Sequence, residues 1–206
     1  MENNTVFVDV CNEIWGNTNN ILLFSEIKLQ NVGSFDFVLV KHKPLSSKVE
    51  DFCVVEFQSD STTGTGQLVE ALKDFMESNK VKEKYSFGLN TYNTIKLSYI
   101  QMLVKGQLLE KWNKHIFWIM QSYVYENMIN RFCLTDMEYN FDKNTKYFLY
   151  DLERENNLDI LKLQNKKAST INNLLKAFTH QPTPSLDDFV EVLENKIKLN
   201  VGLSFK

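Results

Sequence analysis

The stretch 52-FCVVEFQSDSTTGTGQLVEAL-72 changes character twice. Phe52 to Gln58 is apolar, rich in valine and phenylalanine, and broken only by Glu56 and Gln58. That is the composition of a buried strand with a polar end. Ser59 to Gly66 is a run of hydroxyl side chains and glycine, which reads as a turn. From Gly66 to Ser78, Leu68, Leu72, Phe75 and Met76 recur at spacings of three and four, which predicts a helix packed on the sheet. Strand, turn and helix in that order are the unit of an α/β fold. The open question is why a buried strand should end in a glutamate and a glutamine.

Working outward, Asn31 to Ser34 is a turn, 35-FDFVLVKH-42 is a second β-rich run, and Lys43 to Asp51 is a hairpin-type connection. Upstream, 20-NILLFSEIKL-29 is apolar and fits either a helix or a strand. Downstream, a long helix is expected from about Thr91 to Trp112, carrying Ile95, Leu97, Ile100, Leu103, Val104 and Leu108. A buried strand, 115-HIFWIMQ-121, and a helix from Tyr123 to Phe132 follow. The runs 146-KYFLYDL-152 and 158-LDILKL-163 flank Glu155-Asn156-Asn157 and suggest a hairpin, and Ser169 to Phe178 reads as helix. After Pro182 and Pro184, Ser185 with Asp188 three positions on opens a last helix, with Lys196 and Lys198 suited to its C-terminal dipole. The expectation is one α/β domain over residues 1–206, a central mixed sheet flanked by helices, with a small α+β C-terminal part.

The 206 residues are 43% hydrophobic and 13% aromatic, enough for one sizeable core. No apolar run reaches the length of a membrane span, and the N-terminus lacks the basic start and cleavage site of a secretory signal. Cys11, Cys53 and Cys133 are widely spaced and odd in number, which predicts buried thiols in a reducing cytoplasm rather than a disulfide framework or zinc site. The formal charge of −3 weighs against an indiscriminate nucleic-acid binder but is compatible with acids gathered around metal and a basic groove elsewhere. The scattered His42, His115 and His180 support neither a histidine metal site nor a Ser-His hydrolase.

Because strand side chains alternate, Asp36 shares a side with Val38 and Val40, and Glu56 and Gln58 share one with Val54. Antiparallel pairing of the two runs brings the start of the first to the end of the second, so Asp36, Glu56 and Gln58 meet at one edge. A carboxylate beside valines is costly to desolvate unless something balances it. Two readings stand on spacing alone. Either the acids are a solvated strand end with Lys41 or Lys43 as partner, or they hold a hard cation such as Mg²⁺. The Ser59–Gly66 loop is likewise either a plain turn or a cradle for a phosphate oxygen at a helix N-terminus. Glu13 and Glu26 are surface acids or additions to the site, and Asp60 belongs to the turn or to an outer shell of it.

Asp36 in GSFDFVLVK, then Glu56-Phe57-Gln58 ending the next strand, then a helix, resembles the PD-(D/E)XK nuclease core. Glutamine stands where that core has lysine, and the Glu-x-Gln form is similar to the NotI-like restriction endonucleases. The runs 56-EFQSDSTTGTG-66 and 93-NTIKLSYIQMLVKGQLLEKWNKHIFWIMQ-121 extend the likeness over about residues 30–132, leaving 133–206 as an extension. The resemblance implies a type II restriction endonuclease, or the catalytic small subunit of a two-chain one, hydrolysing duplex DNA with one or two Mg²⁺ ions. It makes Asp36, Glu56 and Gln58 catalytic, with Asp36, Glu56 and the main-chain carbonyl of Phe57 as metal ligands. It also makes Thr62, Thr63, Lys96, Gln101 and Lys105 candidate DNA contacts. The partners implied are double-stranded DNA and either a second copy or a recognition subunit. A repair or recombination nuclease and a non-enzymatic DNA-binding module on the same fold are the alternatives.

Overall fold

The sequence predicts a pair of antiparallel strands with apolar residues on both faces, and this pair lies within a six-stranded sheet. The computed structural model describes residues 4–78, 82, 84–132, 134, 137–179 and 183–199; Cys133, His180 and Pro182 lie outside them. Helix α1 (Thr5–Trp15) precedes strands β1 (Ile21–Leu29), β2 (Gly33–His42) and β3 (Val49–Gln58). The short β4 (Thr62–Thr63), α2 (Thr65–Ser78), the short β5 (Gly88–Leu89) and α3 (Thr91–Lys111) follow. Then come β6 (Ile116–Met120), α4 (Ser122–Phe132), β7 (Thr145–Glu155), β8 (Leu158–Ser169), α5 (Ile171–Thr179) and α6 (Leu186–Lys198).

The main sheet runs β1-β2-β3-β6-β7-β8. Strand β6 is parallel to both β3 and β7, while the outer pairs are antiparallel. Parallel neighbours need a crossover that covers a sheet face. Accordingly, every residue of β6 is buried. On one face, Val54, Trp118, Tyr147 and Leu149 pack under Ile95, Tyr99, Met102 and Leu109 of α3 and Val124 and Met128 of α4. On the other, Cys53, Val55, Phe117 and Phe148 pack under Val6, Phe7, Val10 and Cys11 of α1. The result is a helix–sheet–helix sandwich.

Several expectations change. The ambiguous 20–29 segment is strand β1, at one edge of the sheet. The C-terminal hairpin belongs to the same sheet, because β7 and β8 extend it through the parallel β6–β7 pairing. Leu72, Phe75 and Met76 of α2 are exposed instead of packed on the sheet. Of the apolar residues that suggested α3, Ile95 is buried while Leu97, Ile100 and Val104 face outward. Trp112 is 44% exposed and stacks edge-on with Phe52, whereas Phe117 and Trp118 are core.

Two local features carry predictions. Gly106 lies in the middle of α3, where an added methyl would run into the Ile171 side chain and sit 3.3 Å from Thr145 Oγ1. Alanine is the better helix former by about 1 kcal/mol, but overpacking costs about 1–3 kcal/mol. Gly106→Ala is therefore expected to lower stability by about 1 kcal/mol, read as a shifted urea midpoint with an unchanged slope. At the other end of the chain, Ser185 and Asp188 form a reciprocal capping box on α6. Ser185→Ala is expected to cost the helix about 1 kcal/mol. Since α6 buries none of its residues, hydrogen exchange should quicken there while the global melting temperature holds.

Candidate active site

The β2–β3 ladder runs as far as Phe37 opposite Val55, which places Asp36 and Glu56 side by side where the pairing stops. Side chains take over from backbone at this point. The Phe57 N–H donates to Asp36 Oδ2 at 2.9 Å, and the Asp36 N–H donates to Glu56 Oε1 at 3.4 Å. Backbone donors entering a sheet interior need acceptors, and here the two acids provide them. The Val54 N–H is directed to His115 O on the β6 side. Alternation along a strand therefore turns the N–H and carbonyl of Phe57 toward β2, so the Phe57 carbonyl lies on the same side as Asp36. The sequence expectation that Asp36 and Glu56 converge matches this geometry.

Glu56 is 2% exposed, and its partner comes from neither Lys41 nor Lys43. Lys105 Nζ of α3 lies 2.6 Å from Glu56 Oε2, itself buried and 5.6 Å from the centre of the Phe35 ring. Burial raises the proton affinity of Glu56, Lys105 opposes that rise, and the neighbouring Asp36 charge adds to it. The net direction is upward, with burial the largest cause; two carboxylates there face one ammonium. Lys105 is thus an inward ion-pair partner in this structure, where the resemblance made it a candidate DNA contact. Its position three after Met102 and four before Leu109 is the signal that points inward. That signal is masked in the sequence because α3 is apolar on two faces.

Gln58 follows Glu56 on the same side of β3, half-buried, and its amide nitrogen donates to the Ser59 carbonyl at 3.3 Å. Asp60 accepts a 2.7 Å hydrogen bond from the Tyr123 hydroxyl, and burial together with that carboxylate pushes the phenol up to about 12. The loop is anchored rather than loose. Ser61 N–H donates to Thr94 Oγ1 at 2.9 Å, and Thr62 and Thr63 pair with Leu89 and Gly88. Gly64 has φ +69°, and a side chain there would meet the Ser86 carbonyl, so glycine is required.

Lys96 and Gln101 are exposed; Lys96 lies across α3 from Lys105, and Gln101 one turn before it on the same side. Glu26 lies opposite Asp36 in the β1–β2 register, exposed and in left-handed backbone at φ +53°. Glu13 belongs elsewhere, bonded to Tyr139 and Lys166. Among the described residues, no three His, Cys, Asp or Glu side chains gather as a metal cluster. Mg²⁺ needs only one or two carboxylates and completes its octahedron with water. Asp36 and Glu56, side by side at the ladder end with the Phe57 carbonyl on the same side, fit that requirement. A scan against protein-family models and a search of curated proteins return no match for this chain. No helix among the described residues is long and apolar enough to cross a membrane.

Proposed function

We propose that the protein is a Mg²⁺-dependent endonuclease of the PD-(D/E)XK type, of the NotI-like group, that hydrolyses phosphodiester bonds in double-stranded DNA. The observation that carries this reading is the meeting of Asp36 and Glu56 at the opened end of the β2–β3 ladder, with Lys105 against Glu56. When bound, Mg²⁺ would lower the pKa of a coordinated water and offset charge on the phosphate. Asp36, Glu56 and the Phe57 carbonyl would hold it. Lys105 fixes the Glu56 carboxylate and brings to the site a positive charge that Gln58 cannot. Gln58 would orient the attacking water or the scissile phosphate. Thr62 and Thr63, on the loop beside this edge, are candidate contacts to the DNA backbone, and Lys96 and Gln101 are more remote ones.

In this reading the chain is a type II restriction endonuclease or the strand-cleaving subunit of one, acting in the cytoplasm on duplex DNA. Its partner is a second copy or a recognition subunit. The test is incubation of the purified protein with plasmid and phage DNA in Mg²⁺, with and without chelator. Discrete fragments that disappear on chelation are the expected result. A smear would point instead to a repair or recombination nuclease. Intact DNA under Mg²⁺ and Mn²⁺, alone and with candidate partner proteins, would favour a non-enzymatic DNA-binding module.

A further inference from the structure

Among the described residues, two lysines are buried, Lys105 and Lys146. Lys146 Nζ donates to the main-chain carbonyls of Phe141 and Lys143, at 2.6 and 2.9 Å. Neutral acceptors hold it, and it ties down a loop. Lys105 is different, because its Nζ lies 2.6 Å from Oε2 of Glu56, the one buried carboxylate among the described residues. Ionised groups are costly to desolvate, so the pairing of two of them under α3 sets this place apart from the rest of the molecule.

The Glu56 carboxylate is divided between two neighbours. Its Oε1 accepts from the Asp36 N–H at 3.4 Å, on the β2 side, and its Oε2 holds the ammonium, on the α3 side. Asp36 Oδ2 accepts from the Phe57 N–H at 2.9 Å. The β2 side thus gathers Asp36, Glu56 Oε1 and Phe57, while a fixed cation fills the α3 side. Lys105 has little freedom to leave. Its side chain is 7% exposed, it stands between the fully buried Met102 and Leu109, and its ammonium lies 5.6 Å from the centre of the Phe35 ring. A dication brought to the same carboxylate oxygen would meet this ammonium at short range, where solvent screens poorly.

Charge balance points the same way. As metal ligands both acids are ionised, and they face one ammonium, with Gln58 adding no charge. One divalent ion then leaves a single positive charge at the site, which the single negative charge of a phosphodiester balances. A second ion would leave three positive charges in a largely buried place, with too little to offset them. We infer that Lys105 is the built-in second cation of this site, and that Asp36 and Glu56 together take one divalent ion and not a pair. The inference rests on the reading of these acids as Mg²⁺ ligands. Lys105 is in this account a positioning residue: it keeps Glu56 Oε1 turned to β2 and supplies the fixed charge that two-ion sites draw from metal.

The test counts ions by Mn²⁺ titration of the full chain, read by electron paramagnetic resonance, with and without short duplex DNA. Ions lost in Asp36→Asn belong to the site, and the remainder are bound elsewhere on the surface. Wild type is expected to bind one Mn²⁺ more per chain than Asp36→Asn, with the spectrum of an isolated ion. Lys105→Ala removes the ammonium and leaves room beside Glu56. The folded variant is expected to bind two more than Asp36→Asn, spin-coupled as in sites whose ions lie about 3.5–4 Å apart. Two coupled ions in wild type would overturn the inference and leave the metal-dependent reading standing. So would a folded Lys105→Ala protein that still binds one. If that variant does not fold, the wild-type count and spectrum decide alone. Equal binding by wild type and Asp36→Asn would remove the inference together with the reading of the acids as metal ligands.

Discussion

Lys105→Met is expected to lose about 3–5 kcal/mol of folding stability at neutral pH, the usual cost of stranding one member of a buried ion pair. Methionine keeps the length and apolar stem of the lysine, so the loss is electrostatic. Glu56 would lose the partner 2.6 Å away that now opposes the effect of burial, and the like charge of Asp36 would remain. The sign of the pH dependence follows from the direction of the Glu56 shift. A carboxyl whose folded pKa is raised binds its proton more tightly in the native state than in the unfolded chain. Its contribution therefore destabilises as pH rises from the ordinary value of 4.5 through the raised one, and the penalty is relieved as pH falls back through that window. Removing Lys105 widens the window upward, so the variant should recover stability on acidification more than wild type does. Urea titrations from pH 5 to 8 measure this. A Lys105→Met/Glu56→Gln pair should regain much of the loss, since replacing both charges removes the stranded one. Equal losses at every pH would show that the lysine stabilises by packing instead.

Under the proposed nuclease reading, Asp36→Asn is expected to reduce DNA cleavage by at least about a hundredfold, the scale seen when one charge-stabilising group is removed from an active site, with little change in fold. The asparagine carbonyl oxygen can still accept from the Phe57 N–H, which keeps the closing contact of the ladder end. What it cannot supply is the negative charge that draws in a divalent cation. Glu56→Gln should be equally inactive but also less stable, because it strands Lys105 in a buried setting. The contrast between the pair separates a catalytic loss from a folding loss. Cleavage assays run beside thermal melts give both readouts, and an Asp36→Asn protein that cuts DNA as well as wild type would remove the acid from the mechanism.

The parts legible in the sequence were those governed by local pattern. Period-two alternation placed Asp36 and Glu56 on matching sides of two strands, and antiparallel pairing then brought them together. The fully apolar run of β6 and the capping box at Ser185 were likewise readable from neighbouring residues. Where a segment is apolar in more than one direction, periodicity has no single answer. Leu97, Ile100 and Val104 are spaced as well as Ile95, Tyr99 and Met102, and only packing separates the two sets. That ambiguity concealed the inward direction of Lys105. It also made α2 appear to be a sheet-packed helix.

The sequence by itself determined the kind of chain this is: an α/β protein whose two acids sit at facing strand ends. Strand alternation is a property of each residue and its nearest neighbours, so no distant information is needed. Only the tertiary structure decided that β7 and β8 complete the same sheet, and that the positive charge beside Glu56 arrives from α3, forty-nine residues along the chain. Both depend on which apolar faces bury against which. That choice minimises exposed area and stranded charge over the whole molecule at once, and no short stretch of sequence contains it.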